Sequence, residues 1–228
     1  AAGFGAAMGA AIHYLQVPSF IVTLAGMFLA RGAASVLSPD SIGIKHEFYT
    51  AISKSYILLP GGGRLTVIGM IMLAVFAVGI LLAHRTRFGS NVYALGGSES
   101  SAALMGVPVA RTTVLIYMLS STLAGLAGVV FSLYTSAGYS LSALGVELDA
   151  IAAVVIGGTL LTGGYGLVAG TFIGVMLQGL VQTYIVFDGT LSSWWTKIVI
   201  GGLLFMFILL QRLGFTATPR RRKLAWKT

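Results

Sequence analysis

Seven stretches of the chain are dominated by apolar residues, at about 1–12, 18–36, 65–83, 113–133, 148–161, 165–186 and 193–211. Within them the apolar positions follow one another continuously and do not alternate with polar ones. That is the pattern of helices surrounded by hydrocarbon and not of barrel strands. A hydrocarbon layer of about 30 Å needs about 20 apolar residues in a helix, and lipid gives an irregular backbone no hydrogen-bond partner. The pattern therefore predicts an all-α, polytopic transmembrane helical bundle of about six to seven spans. The stretch at 148–161 is too short for a full span unless it continues through the glycines after it, so it is expected either to cross, reaching the other side near Gly163 and Gly164, or to be a broken or half-inserted helix.

Composition supports the same solvent. The chain of 228 residues is 57% hydrophobic and 9% charged, where a soluble domain carries about 25% charge. The net charge of +8 does not point to nucleic acid, because four of the basic residues stand together at Arg220, Arg221, Arg222 and Lys223, just past the last apolar stretch. There, contact with anionic lipid is worth about 1 kcal/mol each. The sequence thus divides into a transmembrane domain over 1–212 and a basic tail over 213–228. Trp194 and Trp195 open the last span, as an interfacial aromatic belt does. The segment Ala1–Ile12 has neither a basic leader nor a cleavage site of its own, so it reads as an incomplete helix and not as a signal peptide.

Orientation follows from the basic residues, which favour the cytoplasmic side. With the C-terminus inside, Arg85, Arg87, Arg111, Arg212, Arg220, Arg221, Arg222, Lys223 and Lys227 face the cytoplasm, against Arg31, Lys45, Lys54, Arg64 and Lys197 outside. This holds only if 148–161 crosses the membrane.

Several chemistries drop out. There is no cysteine, hence no thiolate nucleophile or ligand. His13, His46 and His84 are too far apart for a local metal motif. No G-x-x-x-x-G-K-[ST] element occurs, so ATP hydrolysis would need another chain. Gly164, Gly166 and Gly170 lack the dinucleotide spacing and a preceding strand. No catalytic residue, metal or cofactor is expected. Gly166, Gly170 and Gly174, four apart, read as a stripe where a neighbouring helix approaches closely.

Between 84 and 112 the chain turns polar and then writes one short helix. Ser98 is its cap, Glu99 suits the first turn, and Gly106 with Pro108 supplies the stop. About seven residues make a rod of about 10 Å, too short to span. Ala102, Leu104 and Met105 give it a small apolar surface, and Gly96 and Gly97 leave it on a flexible or tightly turned lead. Two destinations fit that surface: a groove on a partner, or the protein's own bundle.

The run from Arg85 to Val107 resembles the loop by which ribose-type permeases of ATP-binding-cassette (ABC) sugar importers dock on their ATPase. In that pattern Gly-Gly precedes a small-residue helix and then Gly-Ile or Gly-Val. Val17-Pro-Ser-Phe-Ile-Val-Thr-Leu24, Arg31-Gly32 and the stretch from Gly145-Val-Glu-Leu-Asp to Leu161-Thr-Gly-Gly164 are similar to the same family, in the same order. Pro60-Gly-Gly-Gly-Arg-Leu65 and the segment from Phe187 to Lys197 most resemble the permeases of galactofuranose uptake. The upstream Gly-Gly-Ile-Asp-Leu-Ser type motif of the family is not present. The resemblance implies a non-enzymatic transport subunit in a bacterial inner membrane, multi-pass with a cytoplasmic C-terminus. It implies an ABC ATPase, a second permease subunit, identical or paralogous, and a periplasmic sugar-binding protein as partners, with membrane lipid around the bundle. It also implies an ATPase-coupling site at Ser98, Glu99, Ser100, Ala102, Ala103, Leu104, Met105, Gly106 and Val107.

For a substrate pathway the candidates are few. Glu147 and Asp149 head the 148–161 helix, about 200° apart around it, so they do not form a paired-carboxylate site. They read either as favourable first-turn acids or as a gate or binding-protein contact. Thr159, Thr162, Gln178, Gln182 and Thr183 could hydrogen-bond a sugar or another helix. Gln178 and Gln182 share a face. A different class, an ion-coupled secondary transporter with broken helices and buried acids, is opposed by the acids clustering at the ends of spans.

Overall fold

The computed structural model describes residues 1–47, 49, 52, 55–58, 64–188 and 194–217, the last six of these by backbone alone. The seven apolar stretches appear as α1 (Ala2–Tyr14), α2 (Ser19–Leu37), α3 (Val67–Arg85), α6 (Val109–Thr135), α7 (Val146–Ile156), α8 (Val168–Asp188) and α9 (Trp194–Ala217). Between α3 and α6 lie two shorter helices, α4 (Arg87–Gly97) and α5 (Glu99–Leu104). Five helices are long and apolar enough to cross a membrane: α2, α3, α6, α8 and α9. At 13 and 11 residues, α1 and α7 reach about 20 Å and about 16 Å at 1.5 Å per residue. The chain forms two compact units, Ala1–Leu144 and Gly145–Thr228.

In the first unit α1 lies antiparallel on α6. Gly5 and Gly9, one turn apart and both buried, let it approach: a Cβ at Gly9 would stand 2.8 Å from Val114 Cα, and one at Gly5 would overlap the carbonyl of Tyr117. The α2 helix returns beside α1, with Gly26 against Met8. At the far end of α2 and α6, β1 (Ile42–Gly43) pairs antiparallel with β4 (Ala137–Gly138). A second ribbon, β2 (Tyr56–Leu58) with β3 (Arg64–Thr66), leads directly into α3, whose Thr66 cap accepts a hydrogen bond from the Gly69 amide. The unit thus has two ends, one carrying the ribbons and the other carrying α4 and α5.

The second unit is built around α7. It runs antiparallel to α8, where Gly174 meets Ala153 and Gly170 meets Gly157, backbone to backbone. It lies alongside α9 through Ala152, Ile156 and Ile200, with Leu203, Leu204 and Phe207 packed against them. The expected glycine stripe is therefore partly redrawn. Gly166 precedes α8 and packs on the Thr159 side chain, because the turn after α7 delays the start of the helix to Val168. The 148–161 helix itself ends at Ile156, where the chain passes into Gly157 and then Gly158 at φ +88°, a conformation that favours glycine.

Candidate functional site

The short helix lies where the sequence places it, at the end of α3 and the start of α6, and its local chemistry accounts for its length. Thr86 closes α3 and opens α4 at once. Its hydroxyl donates to the Leu82 carbonyl at 2.6 Å and accepts from the Gly89 amide at 3.2 Å. A Cβ at Gly89 would overlap the Ala83 carbonyl, so only glycine permits this elbow. The lead, read as flexible or tightly turned, is instead α4 itself, which stays helical through Gly96 and Gly97. Glycine disfavours a helix interior by about 1 kcal/mol, and at the last turn that penalty does not prevent it.

Ser98 caps α5, its hydroxyl accepting from the Ser101 amide at 3.3 Å and lying 3.0 Å from the Ser101 hydroxyl. The helix stops at Leu104, three residues short of Val107. Gly106 turns at φ +82° while the Val107 amide donates to the Ala102 carbonyl at 3.0 Å, a glycine-terminated helix end. Ala102 is wholly buried, whereas Leu104 is 90% and Met105 72% exposed. The three do not form one surface, as read from the sequence. Two residues on a helix are about 200° apart, so Ala102 faces inward and Leu104 outward. Ser98, Glu99, Ser100, Ala103 and Gly106 are exposed, and Val107 is half-buried.

Beside α5 an open depression of about 620 Å³ is lined by His13, Gln16, Glu99, Ser100, Ala103 and Val109. It joins the C-terminal end of α1 to α5 and to the start of α6. Gln16 holds its rim in a left-handed conformation, φ +55°, and its amide donates to the His13 carbonyl at 3.1 Å. Sequence reasoning passed over His13 and Gln16, since nothing in their spacing connects them to residue 99.

In the second unit, Asp149 pairs with Lys197 of α9 at 2.8 Å and Glu147 is exposed. The α7–α8 register matches 153 with 174 and 157 with 170; four residues further it brings Gln178 level with Asp149. Gln178 and Gln182 continue the face of Gly170 and Gly174, half-buried and exposed respectively. Thr159, half-buried, lies at the other end of α7, beside Gly166, and Thr162 and Thr183 are exposed. Asp149 and the two glutamines thus share one end of α7, and Thr159 does not join them. Among the described residues there is no group of His, Cys, Asp or Glu that could hold a metal ion.

Apolar spans, a half-length helix and a capped stub at the end of two spans are the architecture of a polytopic helical membrane protein. The chain belongs to the family described as branched-chain amino acid transport system / permease component, whose model matches residues 1–208. It is 62% identical to the inner membrane ABC transporter permease protein YjfF of Escherichia coli (strain K12), over 96% of this chain and 66% of that protein. It is 39% identical to the fructose import permease protein FruG of Bifidobacterium longum (strain NCC 2705), over 92% and 63%. To the ribose import permease protein RbsC of Escherichia coli (strain K12) it is 34% identical, over 91% and 64%. The chain therefore spans slightly under two thirds of the length of these relatives. No solved structure matches it.

Proposed function

We propose that this chain is the larger part of the translocation subunit of an ATP-driven importer that carries a monosaccharide across a bacterial inner membrane. The observation that carries the reading is α5, fastened by buried Ala102 while Leu104 and Met105 project from the membrane end of the bundle. An ATPase groove closing on that lip would move α5 as a body, and with it the start of α6 through the short link Met105–Pro108. ATP binding can drive transport only by favouring one arrangement of the spans over another, and α5 is the lever through which that preference would enter. The relatives named for fructose and ribose import favour a hexose or pentose as cargo; the resemblance around 60–65 and 187–197 favours galactofuranose. Both segments fall partly outside the described residues.

The partners would be an ATPase chain, a second permease subunit and a sugar-binding protein. The permease makes and breaks no covalent bond. Asp149, Gln178 and Gln182, with Glu147 beside them, would line the sugar's path, and Thr159 would contribute from the far end of α7. In the described part of the first unit, Arg85, Arg87 and Arg111 flank the α5 end while Arg31, Lys45 and Arg64 belong to the ribbon end. That balance does not orient the first unit by itself; the basic residues 212–227, whose side chains lie outside the described residues, favour a cytoplasmic C-terminus, which places α5 on the same side only if the chain crosses the membrane through 148–161.

The test is co-purification of the full-length protein with an ATPase subunit, followed by sugar-stimulated ATP hydrolysis in vesicles. Ala103→Glu should abolish that stimulation while changing stability by less than about 0.5 kcal/mol, as exposed substitutions do. Stimulation unchanged by the charge would remove α5 from the coupling path. Uptake driven by an ion gradient without ATP would sink the importer reading itself.

A further inference from the structure

The ribbon β2–β3 stands at the opposite end of α3 from α5, about 28 Å away along a 19-residue helix. It is tied to that helix rigidly. β3 passes into α3 without a linking residue, the Val67 amide donates to the Ser55 carbonyl at 3.4 Å, and Leu65 packs on Gly69. Its pairing, Tyr56 with Thr66, Ile57 with Leu65 and Leu58 with Arg64, puts Tyr56, Leu58 and Arg64 on one face and Ile57 on the other. Tyr56, Ile57 and Leu58 are all about half exposed or more, at 48%, 55% and 66%. The Arg64 guanidinium sits 4.9 Å from the centre of the Tyr56 ring.

We propose that this ribbon is an interfacial anchor, lying in the headgroup layer of the bilayer on the side opposite α5. Ile57 and Leu58 rest on acyl chains and Arg64 meets lipid phosphate. Three observations select lipid as the occupant. The ribbon continues a span with no buried residue, so an exposed apolar surface runs from it onto α3 without a break. Apolar side chains project from both of its faces, whereas a docked protein would cover one. A tyrosine with a cation stacked on it is the composition of the membrane-water boundary, where an amphipathic ring and a long basic side chain each find both phases. Three residues of strand extend about 10 Å, enough to pass through the headgroup layer of one leaflet, about 5–8 Å, and reach the acyl chains.

The inference rests only on α3 crossing the membrane, not on transport. Because the chain has no cysteine, Ile57→Cys and Leu58→Cys can be spin-labelled in the full-length protein once cysteines elsewhere in it are replaced. Both positions are more than half exposed, so packing is left intact. Val78→Cys on α3, 53% exposed, and Ser100→Cys on α5 give the lipid and water references. In vesicles of phosphatidylcholine and phosphatidylglycerol, the ratio of collisions with oxygen to collisions with a nickel chelate should be several-fold higher at 57 and 58 than at 100, and lower than at 78. A ratio equal to that of Ser100→Cys overturns the anchor. Protection from nickel that arises only on adding the soluble sugar-binding protein also overturns it, by making the ribbon a protein interface. Removing phosphatidylglycerol, which leaves only zwitterionic headgroups, should lower the ratio in the presence of Arg64 and leave it unchanged in Arg64→Gln; the same response in both overturns a contact of Arg64 with anionic lipid. ATPase co-purification is unaffected by any of these outcomes.

Discussion

The α1–α6 pair and the α7–α8 pair solve one problem with different margins. In each, two antiparallel helices meet through glycines one turn apart, where hydrocarbon supplies little drive for association and close van der Waals approach must replace it. On α1 the glycines face both backbone and side chains, Tyr117 and Ser121 among them. On α8 the close contacts are all with the backbone of α7 and its cap Gly157, the nearest side-chain atom being Leu167 Cβ at 3.7 Å from Gly170. The half-length α7 also carries a bond near each end, Asp149 to Lys197 and, at 3.4 Å, the Gln211 amide to the Val155 carbonyl. The shorter helix has less surface to hold it, and it is the one cross-linked.

The largest expected effect lies on α8. A side chain at Gly174 would overlap the Ala153 carbonyl, and a helix backbone cannot turn aside. Gly174→Leu should therefore cost about 3 kcal/mol, the upper end of overpacking, while Gly179→Leu, with open space around it, should be neutral or slightly stabilising. Thermal unfolding of the purified protein in detergent would show this, and equal midpoints for the two variants would break the account of α7–α8 packing. Next is Gly9→Leu on α1, expected at about 1–2 kcal/mol by the same principle because its nearest contact, the Val114 backbone at 2.8 Å, is less close than the one Gly174 makes with the Ala153 carbonyl; Gly3→Leu, with nothing near it, is its control. A Gly9 penalty above that of Gly174 would reverse the comparison.

The smallest effect is that of the ion pair. Lys197 is 53% exposed, and exposed pairs are worth about 0.2–1 kcal/mol. A double-mutant cycle of Asp149→Asn with Lys197→Met separates this from the favourable place of Asp149 in the first turn of α7. A coupling above about 2 kcal/mol would mean that the pair is shielded from water.

Periodicity and composition alone determined the solvent, the helical class and the place of every long helix, because an apolar run must satisfy its backbone internally in lipid. They also located α5, since Ser98, Gly106 and Pro108 act on the backbone next to them. The boundaries moved where two local signals compete: Gly96 and Gly97 read as a break but end a helix, and Gly166 read as part of a stripe but lies in the turn before it. What only the tertiary structure decided is which side of each element meets what. Ala102 and Leu104 are both apolar, yet packing buries one and exposes the other. Asp149 finds Lys197 from 48 residues away, and His13 and Gln16 come to line the depression beside Glu99. Such pairings depend on how helices cross, which residues distant in sequence determine jointly, so no local pattern of hydrophobic and polar positions contains them.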